Sequence, residues 1–170
     1  MIADYAKIVS ILQKLDLEYS SCVGGADIEK PIIISKIAVL ELCGWIEESV
    51  DLILLDYINH RISDQECRKC VEDIINKNYG FKYKENLFHL FTVVLGVSNW
   101  ENVVDALTYS RILVLEAVCN NYTKLRNVAA HTYRLTGITV TYLAPSQVIA
   151  DYHKIEPIFK IIETEIKKYV

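Results

Sequence analysis

From Ser35 to about Ile62 the chain is apolar nearly all the way round a helical wheel, with Glu41, Glu47, Glu48, Asp51 and Asp56 as the exceptions. A helix with apolar side chains on almost every face cannot simply rest on a surface, because other elements must wrap it. The segment therefore reads as a long central helix, and the rest of the chain has to supply its covering. It does not read as a membrane span. Lys36 and Glu41 interrupt its richest run, "IIISKIAVLELCGWI", well before the ~18 uncharged residues that a bilayer crossing needs. With 170 residues the chain is long enough for one domain with a real core, and no repeat or shift in composition marks a second. Residues 1–170 are thus expected to form one helical domain.

The covering elements are legible from their periodicity. Ile8, Ile11, Leu12, Leu15 and Tyr19 recur at three- and four-residue steps, the spacing of one buried helical face, and that helix should stop near "VGGADIEKP", where Gly24, Gly25 and Pro31 suggest a loop. Ser63 followed by Glu66 has the form of a capping box, predicting a helix that ends around "NKNYG". "KENLFHLFTVVL" predicts a short buried helix before a turn at "GVSN". A further helical pattern runs from Trp100 through Val103, Val104, Leu107, Leu115 and Val118, with Asn120 and Asn121 either breaking it or roughening its surface. Beyond these, Leu125, Val128 and Ala129 are expected to face inward and His131 to lie near the helix end. "TGITVTYLAP" alternates threonine with apolar residues and is expected to be extended. Ser146 can cap a last helix with Ile155, Ile158, Phe159, Ile162 and Ile166 as its stripe, and Pro157 should kink or split it. The fold class is all-α: a compact bundle of about five to seven helices with a short extended connector before the last.

Five cysteines at scattered positions argue for reduced thiols rather than a disulfide scaffold. "CRKC", holding Cys67 and Cys70, lacks the second ligand pair that a zinc site needs, and its surroundings read as helix, so both are taken as half-buried helix cysteines. No metal or other cofactor is implied. The N-terminus "MIADYAKIVS" lacks the basic start, apolar run and cleavage site of a secretory signal, so a cytoplasmic location is expected. The net charge of −4 argues against a surface coated with basic residues for general nucleic-acid binding. Distribution tells more than the sum. Between Glu116 and Asp151 there is no acidic residue, and Lys124, Arg126, His131 and Arg134 all fall inside that stretch.

Within it stands "LRNVAAHTY", which sets Arg126, Asn127, His131 and Tyr133 in close succession. Taken singly, Lys124 and Arg126 read as solvated helix residues and His131 as a polar terminator at the negative end of the helix dipole. Together they resemble the signature of the HEPN superfamily of small helical ribonucleases. The resemblance is sharp over the motif and only architectural elsewhere. It implies Arg126 and His131 as catalytic residues, Asn127 and Tyr133 as supporting ones, and Lys124 and Arg134 as contributors to substrate binding. Glu47 resembles the acidic position that many members carry on their second long helix, facing the active cleft, although Glu48 is adjacent and could be the matching residue. The resemblance also implies a homodimer with both motifs lining one cleft. In toxins of the superfamily that pair with a minimal nucleotidyltransferase antitoxin, the tyrosine two places after the histidine receives AMP. Tyr133 holds that place, and its other role would be to stack on a base or pack in the dimer.

The residue types also carry a chemistry of their own. Cutting RNA through the ribose 2′-hydroxyl needs a proton acceptor, charge stabilisation at the phosphorus oxygens and a proton donor for the leaving oxygen. Histidine serves as base or acid near neutrality, and arginine offers a permanent charge in a planar fork of donors suited to phosphate. At ~100° per residue, Arg126 and His131 lie about 140° apart around a straight helix. Either His131 sits past the helix end, or two copies share the site. Asn127 and His131, four apart, share a face. The expected function is a metal-independent endoribonuclease acting on RNA, a prokaryotic toxin or defence effector restrained by a nucleotidyltransferase or small-protein antitoxin. The alternatives are a non-catalytic helical module that binds a nucleotide or protein, and an unrelated helical adaptor.

Overall fold

The computed structural model describes residues 5–131 and 141–170, the side chains of Tyr5, Ala6 and His131 excepted. The described residues form an all-α bundle of seven helices, with no strand among them. Helix α1 spans Tyr5–Cys22, α2 Glu29–Arg61, α3 Gln65–Asn76, α4 His89–Leu95, α5 Val97–Ala106, α6 Tyr109–His131 and α7 Pro145–Ile166. A π-helical turn, Tyr83–Phe88, leads into α4, and a 3₁₀ turn, Lys167–Tyr169, follows α7.

Helix α2 is the centre that its sequence requires, packing against α1, α3, α6 and α7. Its side chains from Ile34 to Ile58 are buried along most of the circumference. Against α7, Trp45 meets Tyr152 and Phe159 edge-on, with centroids 5.0 and 5.3 Å away, the geometry that ring quadrupoles favour. A second aromatic cluster joins α4 to α5, where Phe91 stacks on Trp100 at 4.6 Å. The covering is not complete, however. Ile33, Ile37 and Leu40 leave an apolar stripe of α2 at the surface. No described helix is long and apolar enough to cross a membrane.

Several local expectations are corrected. Helix α2 starts at Glu29, so Pro31 lies in its first turn and not in a loop. That turn has donors without intrahelical acceptors anyway, and Asp27 Oδ1 accepts from the N–H groups of Glu29 and Lys30 at 3.0 and 3.2 Å. Asp64, not Ser63, caps α3, its Oδ1 accepting from Cys67 N at 2.7 Å. "GVSN" is no open turn: Gly96 alone breaks the chain, at φ +82°, a backbone conformation that suits glycine, and α5 begins at the next residue. The pattern expected to run on from Trp100 is two helices, separated at Leu107, which is itself buried. Helix α6 passes through Asn120 and Asn121 unbroken. Val128 is 41% exposed, while Ala129 is buried and Leu125 packs against the core as expected. Cys67 and Cys70 are exposed rather than half-buried. Helix α7 begins at Pro145 after Ala144, so Ser146 is not its cap, and Pro157 does not split it. Most of the expected extended connector lies outside the described residues.

Candidate functional site

The site is built where the middle of α2 meets the last turns of α6. Apolar side chains fix that meeting: Cys43, Ile46 and Val50 on α2, Cys119, Tyr122 and Ala129 on α6, all buried. The Cys43 thiol lies against Tyr122 O at 3.7 Å, and burial pushes it up to about 12, which leaves it inert near neutrality. With the two helices locked together, the polar residues at the edge of the contact are brought face to face. Arg126 Nη1 lies 2.8 Å from Glu47 Oε1. Both side chains are about one-third exposed, so the pair sits at a boundary and not in the core.

The contact opens into a cavity of about 240 Å³. Glu47, Asp51 and Val50 of α2 form one wall and Arg126 of α6 another. The third wall is the end of α3 and the segment after it, with Asn76, Asn78, Tyr79, Gly80 and Phe81, and Leu87 closes the floor. Asn86 holds that segment in shape. Its Oδ1 accepts from Lys82 N at 3.1 Å, and its amide nitrogen reaches Tyr79 O and Asn78 Oδ1 at 3.4 and 3.5 Å. Asn78 Nδ2 in turn donates to Gly80 O at 3.1 Å, and Gly80 takes φ +113°. The segment is tied to α6 through Tyr83 N, which donates to Asn120 Oδ1 at 3.2 Å. The outcome is a braced loop with Phe81 buried beneath it and the ring of Tyr79 standing 84% exposed at the rim.

Electrostatically the cavity is not the basic patch that the surrounding stretch of α6 suggests. Two carboxylates face one guanidinium. Burial raises the Glu47 carboxyl above its ordinary value, and Arg126 opposes that rise. Asp51, one helical turn further along α2, is pushed up to about 6, first by burial and then by Glu47. It has no hydrogen-bond or ion-pair partner among the described residues. A carboxylate titrating near neutrality in a cleft is the kind of group that functional sites accumulate.

The structure thus brings Glu47 and Arg126 together and turns Glu48 elsewhere. Glu48 is exposed and lines a different groove, with Lys7, Glu41 and Gly44. Lys124 and Asn127 are exposed on α6, outside the cavity lining. The α6 backbone stays helical through His131, so the position is not past the helix end, and the angular separation from Arg126 remains. Tyr133 and Arg134 lie outside the described residues. Asp51 was not singled out from the sequence, although its signal is there: Glu47 and Asp51 stand four apart, on one face of a helix that is apolar over most of its circumference. The loop wall had no such signal, because only tertiary packing brings it to α2. Among the described residues no group of three or more His, Cys, Asp or Glu side chains is arranged to hold a metal ion. Comparison with family models, curated proteins and solved structures found no match.

Proposed function

We propose that the chain is a HEPN-like, metal-independent endoribonuclease that works as a homodimer, a toxin or defence effector acting on RNA. The observation that carries this reading is the 2.8 Å pair between Arg126 and Glu47 at the mouth of a cavity. One residue comes from the motif and the other from the acidic position on the second long helix, and packing of α2 on α6 joins them. Glu47 occupies part of a five-donor fork and fixes its direction, leaving other donors for a phosphate oxygen. His131 supplies the titrating group. In one copy it accepts the proton of the 2′-hydroxyl as that oxygen attacks phosphorus, and in the other it protonates the leaving 5′-oxygen. A cyclic phosphate forms on one fragment and a free 5′-hydroxyl on the other. The helical continuity of α6 favours this two-copy arrangement, since one copy holds the positions of Arg126 and His131 about 140° apart at ~100° per residue. Tyr133 is the candidate for AMP attachment by a nucleotidyltransferase antitoxin, where added negative charge would compete with RNA phosphate.

The test is RNA cleavage by purified protein in EDTA. The wild type should produce cyclic phosphate ends, and His131→Ala should be slower by about 10²- to 10⁴-fold, the span of a lost acid or base. Equal cleavage by both proteins, or strict dependence on magnesium, would overturn the mechanism. The second reading, a non-catalytic module that binds a nucleotide or protein, is favoured by the cavity's two carboxylates against one guanidinium. It predicts ligand binding with no turnover for His131→Ala to abolish.

A further inference from the structure

We infer that the cavity beside Arg126 and Glu47 is a nucleobase pocket selective for guanine, with Asp51 reading the base edge and Tyr79 stacking on its face. The inference rests on the proposal that the substrate is RNA, and it adds which base the cleft would hold. Size limits the choice first. At about 240 Å³ the cavity lies below the ~300–1,000 Å³ of pockets for drug-sized ligands, so it suits one planar base or a similar small group. Charge limits it next. Glu47 and Asp51 outnumber Arg126, so a phosphate is repelled from the interior and belongs at the mouth, near the guanidinium. What enters must bring hydrogen-bond donors to the carboxylates without losing the attraction of the arginine.

Among the four RNA bases, guanine does both. Its N1–H and N2–H₂ groups form a parallel donor pair that matches the two oxygens of one carboxylate. Its O6 and N7 are acceptors on the adjoining edge, the pair that an arginine reads. Adenine, cytosine and uracil lack that combination of a two-donor edge and a two-acceptor edge. Asp51 is the carboxylate free for the task, because Glu47 already holds Arg126 and Asp51 has no partner among the described residues. The walls suit a flat ring. Val50, Phe81 and Leu87 provide buried apolar surface, and Tyr79 offers an aromatic face at the rim that no described residue covers. The hydrogen bonds of Asn86 brace this wall before any ligand arrives, so little ordering accompanies binding.

The experiment is equilibrium titration of purified protein with GMP, IMP, AMP, CMP and UMP. GMP should bind tightest. IMP, which lacks the 2-amino group, should bind about 10- to 100-fold more weakly, the range for a lost hydrogen bond to a charged group. Asp51→Asn should abolish the preference for GMP over IMP. Tyr79→Ala should weaken every nucleotide by about 10-fold while keeping the preference, and Tyr79→Phe should restore the affinity. Circular dichroism of each variant checks that the fold is intact, and Tyr79 lies too far out to disturb it. Equal affinity for all five nucleotides would overturn the inference, as would tighter binding of a polyamine than of GMP, lost with Asp51→Asn. The two proposals fail separately. Selective GMP binding without RNA cleavage would keep the pocket and remove the ribonuclease. Cleavage indifferent to base, with no GMP preference, would do the reverse.

Discussion

Two faces of the same turn of α2 behave in opposite ways. Trp45 and Ile46 point into the bundle, where Trp45 is 4% exposed between Tyr152 and Phe159 and Ile46 is fully covered. The next residue, Glu47, turns out to Arg126, and Asp51 follows one turn later on the same side. On the first face every neighbour favours burial. On the second, burial raises both carboxyl groups, which means that the folded state penalises their charge. A helix selected only for packing has no reason to keep two such acids at the edge of its contact with α6. The core face serves the fold, and the cavity face is the one on which a function can be argued.

The contrast can be broken most forcefully by truncating one residue on each side. Trp45→Ala should lower stability by about 3–5 kcal/mol, since it removes a large buried aromatic and leaves a void among α1, α2 and α7. Arg126→Ala should do the opposite. Its pair with Glu47 is partly solvated and contributes under about 1 kcal/mol to stability, yet RNA cleavage should fall by about 10²- to 10³-fold through loss of charge stabilisation at the phosphate. Arg126→Lys should recover only part of that loss, because a point charge cannot hold Glu47 and a phosphate oxygen as a planar fork does. Thermal unfolding and cleavage assays on the same two variants settle the comparison. A large loss of stability in Arg126→Ala would mean that the pair belongs to the core after all.

A smaller effect separates neighbouring acids. Glu47→Gln removes the charge that directs Arg126, and cleavage should drop about 10-fold, within the range for positioning a charged hydrogen bond. Glu48→Gln alters an exposed residue on another groove and should leave cleavage unchanged. Equal effects from the two would contradict the assignment of Glu47 to the cavity.

What could be read from the sequence follows the range of the forces involved. The apolar circumference of α2 foretold a central helix, and the stripe of Ile155, Ile158, Phe159, Ile162 and Ile166 foretold the buried face of α7, because periodicity is a local record of burial. Caps were less legible: Asp64 and Ser63 are adjacent and chemically interchangeable in that role, so one position of register decided it. The junction at Leu107 was missed because its side chain is as buried as a helical one would be. Of the candidate site, Arg126 was singled out through the motif resemblance, and Glu47 only as one of two adjacent acids, the choice between it and Glu48 resting on the packing that pairs Glu47 with Arg126. Asp51 and the loop from Asn76 to Phe81 were not, since their meeting depends on how α3 returns toward α2. Tyr133 and Arg134 fall outside the described residues and stand as proposals.

The smallest expected effect is also the one with a definite sign. The Asp51 carboxyl is raised from 3.8 to about 6, so the folded state binds its proton more tightly than the unfolded chain does. Its contribution to stability is present in full below pH 3.8 and is lost as the pH rises through about 6. Asp51→Asn removes that titration. Relative to wild type, the variant should therefore gain stability as the pH rises across this window, reaching a plateau of about 1 kcal/mol near pH 7.5, smaller than the full shift implies because the side chain is partly solvated. Burial of Glu47 pushes stability the same way, but Glu47 is present in both proteins, so the difference between them reports chiefly on Asp51. Denaturant unfolding of both proteins from pH 4 to pH 8 measures it. A gap that is constant over this range would mean that Asp51 ionises as freely as in the unfolded chain. A gap that opens with pH, in a variant that has lost its preference for GMP, would mark Asp51 as a residue kept for the ligand at the expense of the fold.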